Sequence, residues 1–280
     1  MKITQFSILG ERCSGTNFLE EAMLNNFNLT YTAKYGNKHF FCFNQYENDK
    51  TLTNNILFIG IIRNPVYWLN SFSKELYHIP EINKTNLSTF LFNEFYSVED
   101  EKKNTIINFT INSYKKNNKL NIKDLNYITG KKYKNIFEMR KLKNDFLMNI
   151  IQQKVNNYIL INYEDLLYNY DETLNKIKEQ FLLTQKFNSF IKIKKYKKSN
   201  SYHFVEQREI SFNTQIIQLL WQNLDMQQEK KLGYLPFDNN SLFKNKYIIN
   251  DNDNDNDNVA NQNQDYYGDD NSDNIPLIDG

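Results

Sequence analysis

Residues 8–19 read Ile-Leu-Gly-Glu-Arg-Cys-Ser-Gly-Thr-Asn-Phe-Leu, with Gly10 and Gly15 bracketing four residues. That is the spacing of a phosphate-binding loop of the form GxxxxGK[ST], but Thr16 and Asn17 stand in the two positions where such a loop carries Lys and then Ser or Thr. Upstream, residues 3–9 form a short, largely apolar run. Downstream, residues 17–26 place Phe18, Leu19, Ala22 and Met23 on one helical face. A strand, a glycine-bounded loop and a helix in that order aim backbone N–H groups and the positive end of a helix at an anion. The missing lysine leaves the β- and γ-phosphates of a nucleoside triphosphate without their cation, and the magnesium-holding hydroxyl is displaced. The layout therefore predicts anion binding and favours a nucleotide with a different terminal group, held without metal.

A second segment, residues 55–71, reads Asn-Ile-Leu-Phe-Ile-Gly-Ile-Ile-Arg-Asn-Pro-Val-Tyr-Trp-Leu-Asn-Ser. Its apolar part suits a strand buried on both faces of a parallel sheet, Asn64 suits a helix cap and Pro65 suits the first helical turn. Arg63 then ends the strand at the carboxyl edge, where open α/β sheets bind ligands. Ser71 lies about two helical turns beyond the cap, on the face that leans back toward Arg63. Arginine and hydroxyl can grip one phosphate there. A nucleotide hydrolase would end such a strand in aspartate to hold magnesium, whereas arginine binds the anion itself.

A loop with Ser-Gly-Thr, followed by an apolar strand ending in Arg-Asn-Pro with Ser eight residues after the Arg, resembles the sulfotransferases that use 3′-phosphoadenosine 5′-phosphosulfate. Residues 157–166, ending a third apolar run in Tyr163-Glu164-Asp165-Leu166, are similar to a later strand of that family. In order and spacing the resemblance covers roughly residues 3–183. It implies a P-loop-type three-layer α/β fold with a central parallel sheet flanked by helices. It implies that Ser14, Gly15, Thr16 and Asn17 meet the 5′ end of the co-substrate, with Cys13 in the same loop. Arg63 and Ser71 would meet the 3′ phosphate, and Tyr163 the adenine. The family commonly has Lys or Arg just before Ser-Gly-Thr. Here that position is Cys13, and the nearby cation is Arg12, to which the leaving-group role is assigned.

Transfer to a hydroxyl or amine also needs a base, and histidine is best matched near neutral pH. Of the three histidines, His39 lies after a predicted second strand (residues 29–34) and before the Arg63 strand, with Lys38 beside it. The resemblance puts the catalytic histidine in this interval, often with a lysine close before it. His39 is therefore the candidate base and Lys38 a candidate stabiliser of developing charge. His78 and His203 carry no such positional argument. A cysteine-dependent phosphatase is excluded because the position six residues after Cys13 is Leu19 rather than arginine. Cys13 and Cys42 are too few for a structural zinc site or a disulfide framework.

Residues 77–133 read as a helical insertion, with helices over 87–96 and 98–114, the latter capped by Ser97, and another amphipathic helix follows over 135–153. In the family the corresponding region contributes the acceptor pocket. On the helix over 135–153, Arg140 and Lys143 lie three apart, as an anion-facing pair or as part of a solvated face. Glu164 and Asp165 read as the acidic start of a helix. Residues 194–208 read as a loop, for which the resemblance implies a basic cover over the 3′ phosphate with Arg208 in it.

Across 280 residues the hydrophobic share of 40% is enough for a full core, and the net charge of +1 argues against nucleic acid as a partner despite the basic run 192–198. No stretch of ~18 apolar residues predicts a membrane span, and no leader segment is evident, so the expected location is cytoplasmic. Residues 1–249 are expected to form the sulfotransferase-like domain. The Asn/Asp-rich residues 250–280 are expected to be disordered, since they cannot bury enough surface to offset ordering entropy. The expected acceptor is a small molecule or carbohydrate, and neither its identity nor the oligomeric state is written in the sequence. Two other readings remain open: a P-loop phosphotransferase with magnesium on Asp165, and a nucleotide-binding protein without catalysis.

Overall fold

The computed structural model describes residues 2–43, 46, 50–99, 119–193 and 210–236. Its centre is a four-stranded, all-parallel sheet of β1 (Gln5–Leu9), β2 (Thr30–Tyr31), β3 (Ile56–Ile62) and β4 (Asn157–Asn162), in the order β2-β1-β3-β4. The helices are α1 (Thr16–Asn26), α2 (Pro65–Phe72), α3 (Leu87–Phe92), α4 (Ile136–Asp145), α5 (Ile151–Lys154), α6 (Tyr163–Tyr168), α7 (Tyr170–Phe181), α8 (Thr214–Asn223) and α9 (Met226–Lys231).

β3 is central, and all seven of its residues are buried, which is why its sequence is a continuous apolar run rather than an alternation. β1 pairs with it from Gln5↔Ile56 to Leu9↔Gly60, and β4 pairs on the other side from Leu57↔Asn157 to Ile62↔Asn162. Alternate side chains go to opposite faces. One face carries Phe6, Ile8, Leu57, Ile59 and Ile161 against α1 and α7. The other carries Phe58 and Ile62 against α2, α4 and α8. Within α1, Phe18, Leu19, Ala22 and Met23 are all buried as the sequence pattern predicts. Burying a side chain as large as Phe18, Leu19 or Met23 contributes about 1.5–3 kcal/mol.

The chain runs from β1 to β2 on one side of the sheet and then returns to β3 on the other side of β1. The carboxyl ends of β1 and β3 therefore flank a topological switch point, the place where such sheets form a ligand crevice. The glycine loop leaves β1 there and Arg63 leaves β3 there. The expectation of an α/β parallel-sheet fold stands.

The insertion differs from the sequence reading. The helix expected over 87–96 is only six residues long. Asn86 starts it through a capping box with Thr89, and it ends at Phe92 because Phe95 exchanges two backbone hydrogen bonds with Tyr133 (2.9 and 3.0 Å), which holds the chain extended. The Ser97 hydroxyl donates to Asp124, and Val98 forms an isolated bridge with Leu120. Most of the helix expected over 98–114 lies outside the described residues, as do Arg208, His203 and the tail 250–280. The described part of the insertion consists of α3, short 3-10 turns and paired extended segments. The predicted helix over 135–153 does form, as α4 and α5 joined by a π-helical turn at Phe146–Ile150. No helix among the described residues is long and apolar enough to cross a membrane.

Candidate functional site

The glycine loop is held by its carbonyls. Trp68 of α2 donates from Nε1 to the Arg12 carbonyl at 2.9 Å, and Arg63 donates from Nη1 to the Cys13 carbonyl at 3.0 Å. In a trans peptide the N–H points opposite to the C=O, so pinning the Arg12 carbonyl on the protein side turns the Cys13 amide outward. The Gly15 carbonyl accepts the Leu19 amide at 3.0 Å, which sends the Thr16 amide out of the N-terminus of α1. Among the described residues no group accepts from the amides of Cys13, Gly15 or Thr16, whereas the Ser14 amide donates to the Glu11 carbonyl at 3.1 Å. Gly15 has φ +89°, and a Cβ there would sit 2.1 Å from the Tyr163 ring, so glycine is required both for backbone and for space. Gly10 is also tight, with a Cβ 2.7 Å from Ile61.

Arg63 and Ser71 meet as their spacing predicts. Asn64 caps α2 by accepting from Val66 N at 3.0 Å, Pro65 fills the first turn, and Arg63 Nη1 then donates to Ser71 Oγ at 3.1 Å. The guanidinium lies over the Tyr163 ring at 4.7 Å. Arg63 Nε is buried and has no hydrogen-bond partner among the described residues. A buried charged donor left open at a switch point costs free energy unless something else accepts from it. Tyr163, buried at the start of α6, forms the wall that joins this arginine to Gly15.

Lys38 and His39 approach the loop from the segment after β2. Lys38 Nζ donates to Asn17 Oδ1 at 2.5 Å and to Glu20 Oε2 at 3.0 Å, so its charge lies at the first turn of α1, beside the open amides. His39 is half-buried, with Nδ1 2.8 Å from the Gly10 carbonyl. A carbonyl only accepts, so Nδ1 carries the proton and Nε2 has the lone pair. Burial lowers the His39 pKa to about 4, with Arg12 and Lys38 pressing the same way and the Glu11 carboxylate opposing.

Arg12 is the correction. Its side chain is 3% exposed and turned away from the loop into the core. There it donates to Glu11 Oε1 (2.6 Å), Ser97 Oγ (2.8 Å), Asp124 Oδ2 (3.0 Å) and the Tyr77 carbonyl (3.2 Å). Phe40, Phe72 and Phe95 surround it. A guanidinium saturated in this way does not face the open amides of the loop, where the nearest cation is instead Lys38. Cys13 takes part through its backbone alone, in the left-handed region at φ +62°. Burial pushes its thiol up to about 12, which leaves it protonated and unreactive. Ser14 and Thr16 are buried in the loop wall. Arg208 lies outside the described residues. Ser211, three positions after it, donates from N (2.9 Å) and Oγ (2.7 Å) to Asn70, the neighbour of Ser71.

Sequence reasoning missed what lies behind the site. Arg140 and Lys143 are neither solvated nor open to an external anion. Arg140 grips Glu229 with two hydrogen bonds (2.6 and 2.8 Å) and donates to the Arg63 carbonyl at 3.0 Å. Lys143 pairs with Glu11 and Asp124. Glu164 stands in the first turn of α6 as expected, and it also accepts from Asn64 N and from Tyr234 Oη, each at 2.9 Å, while burial raises its pKa. The helical spacing of Arg140 and Lys143 was visible, but their partners are separated from them by as many as 132 residues. Among the described residues no group of three or more His, Cys, Asp or Glu side chains is placed to hold a metal ion. No protein-family model matches the chain, and no curated protein matches it.

Proposed function

We propose that the chain is a sulfotransferase that binds a nucleotide bearing a 5′ anion and a separate 3′ phosphate and passes a sulfuryl group to a hydroxyl or amine. The observation that carries this reading is the Arg63–Ser71 pair at the carboxyl end of β3, with Arg63 Nε buried and unaccepted beside a loop whose amides face outward. An open-amide loop and an arginine–hydroxyl pair that both abut Tyr163 suit a nucleotide with phosphate at both ends better than a triphosphate, whose charges lie in one chain. The nucleotide supplies the sulfuryl group as 3′-phosphoadenosine 5′-phosphosulfate. The outward amides of Cys13, Gly15 and Thr16 hold its 5′ end, and Arg63 with Ser71 holds the 3′ phosphate. His39 Nε2 accepts the proton that the acceptor loses as its oxygen or nitrogen bonds to sulfur. Lys38 faces the charge left on the departing oxygen.

One observation favours a second reading, a nucleotide-binding protein without transfer. With Arg12 turned inward, the loop presents no cation of its own. Thermal denaturation with 3′-phosphoadenosine 5′-phosphate, ATP with magnesium, and GTP with magnesium tests the site. At 100-fold excess over its dissociation constant the 3′-phosphorylated nucleotide should add about 2.7 kcal/mol. Greater stabilisation by either triphosphate sinks the proposal. Product formation from labelled donor across phenols, sugars and amines then separates transfer from mere binding.

A further inference from the structure

Lys143, on α4, belongs to no motif, yet its side chain is 2% exposed and its ammonium reaches three segments at once. Nζ donates to the His39 carbonyl at 2.9 Å, pairs with Glu11 Oε2 in the glycine loop, and lies 2.5 Å from Asp124 Oδ1 in the insertion. Asp124 is wholly buried, and its other oxygen accepts from Arg12 and Ser97. Glu11 Oε1 accepts from the Arg12 amide at 2.7 Å and from Arg12 Nε. The result is a closed set of two cations and two carboxylates, in which each charge faces two of the opposite sign. Burial alone would raise the Glu11 carboxyl, but Arg12 and Lys143 outweigh it and hold its pKa near 2. Glu11 therefore stays ionised at neutral pH, and a buried set of charges is tolerated when each is paired with its opposite. Lys143 is the member that touches both the residue carrying the imidazole and the loop whose Gly10 carbonyl receives the imidazole Nδ1.

We propose that Lys143 is a positioning residue for His39: by tying the His39 carbonyl to Glu11, it keeps Nδ1 on the Gly10 carbonyl and leaves Nε2 as the ring atom free to take a proton. The inference deepens the proposed function and rests on His39 being the base. Its geometry can nevertheless be read without donor or acceptor. The charges facing the imidazole are Glu11 and Arg12 from the loop and Lys38 from its own segment, while Lys143 acts from α4 through the His39 carbonyl. Loss of Lys143 frees the His39 segment from the loop and leaves the Glu11 charge less compensated. Relief of the ring's burial and the stronger Glu11 charge both ease its protonation and outweigh the lost hydrogen bond to Gly10.

The test is histidine-ring NMR of the full chain, with His39→Gln to assign the signal. In the wild type at pH 7 the ring nitrogen shifts should report the Nδ1–H tautomer, and an Nε2–H tautomer overturns the proposal. In Lys143→Met/Asp124→Asn, which removes one cation and one anion together, the His39 titration midpoint should rise by about one pH unit or more. A folded double variant whose midpoint stays at the wild-type value also overturns it, since a lysine that merely supports the fold would not move that signal. Where the double variant does not fold, Lys143→Gln is read in the same way. If neither variant folds, the wild-type tautomer decides. These signals are independent of nucleotide, so a failed nucleotide-binding experiment would refute the sulfotransferase reading while leaving this result to stand or fall by itself.

Discussion

Acid should destabilise this protein through His39 before it does so through carboxylates. Burial beneath the glycine loop takes the imidazole from its ordinary value of 6.5 to about 4, against the opposing pull of the Glu11 carboxylate and of the Gly10 carbonyl that accepts from Nδ1–H. Between those values the unfolded chain binds a proton that the folded chain refuses, so stability falls as pH drops from 6.5 through 4. With about 1.4 kcal/mol for each tenfold difference in proton affinity, the effect is at most about 3 kcal/mol in full and about 2 kcal/mol by pH 5. Glu11, whose folded pKa is near 2, loses its contribution only below its unfolded value of 4.5 and so stays out of that window. Glu164 is raised by burial and acts with the opposite sign. Comparison with His39→Gln, which keeps a donor for the Gly10 carbonyl, subtracts Glu164 and every other common group. Urea denaturation at pH 7, 6 and 5 should show the wild type losing about 2 kcal/mol more than His39→Gln over that range. Equal losses in the two proteins would mean that His39 is solvated and the proposed tautomer lock is wrong.

Gly15→Ala forces φ +89° on a side chain and places its Cβ against the Tyr163 ring, so a urea midpoint shift worth more than about 1–2 kcal/mol is expected, together with loss of nucleotide-induced stabilisation. Arg63→Ala should weaken 3′-phosphoadenosine 5′-phosphate by about 1.5–3 kcal/mol in calorimetric titration and leave the analogue lacking the 3′ phosphate nearly unchanged; equal losses would make Arg63 structural. Arg140→Met strands the 1%-exposed carboxylate of Glu229 and should cost about 3–5 kcal/mol in chemical denaturation, whereas Arg140→Met/Glu229→Leu should recover much of it. Cys13, its thiol pushed up to about 12, should react with iodoacetamide at pH 8 only after denaturant is added, and rapid native labelling would contradict the burial on which that rests.

What the sequence revealed of the fold was whatever local periodicity and punctuation could encode. The unbroken apolar run of β3 announced a central parallel strand, Asn64-Pro65 announced the start of α2, and the eight-residue step from Arg63 to Ser71 announced their contact. Each needs only rise per residue and side-chain direction. The second strand, expected over 29–34, shrinks to Thr30–Tyr31 because β2 is an edge with one neighbour, and edge strands receive little sequence specification. The end of α3 was hidden for another reason. Residues 93–96 keep a helical pattern, but the pairing of Phe95 with Tyr133 is a non-local contact that outweighs intrinsic propensity.

What stayed hidden at the candidate site was the destination of its charges. Arg12 looked like the cation nearest the loop, yet charge alone does not say which way a side chain points. Here Cys13 takes the left-handed conformation and the Arg12 carbonyl is pinned by Trp68, while its guanidinium faces the carboxylates of Glu11 and Asp124. A buried ion set of this kind leaves no periodic trace, because its members come from the loop, the insertion and α4. Charge neutrality does leave a constraint that can be used in reverse. Glu11 and Asp124 are buried with pairing for both, so the two cations near them are committed. Arg140 is likewise committed to Glu229. Among the described residues, the cations that remain beside the open amides and the Tyr163 wall are Lys38, held at the surface of α1 by Glu20, and Arg63, whose hydrogen bonds go to the Cys13 carbonyl and the Ser71 hydroxyl. An arriving dianion competes with a directly paired carboxylate for Lys38, whereas Arg63 has no ion pair within contact distance and feels the Glu164 carboxylate only at longer range. Binding should therefore anchor first at Arg63 and draw Lys38 across from Glu20 afterwards. This order predicts that Glu20→Gln strengthens nucleotide affinity several-fold and flattens its salt dependence little, while Arg63→Ala abolishes most of that dependence in titrations between 50 and 300 mM salt. If Glu20→Gln weakens binding instead, Lys38 needs its carboxylate to be positioned, and the assignment of the leaving-group cation to Lys38 fails with it.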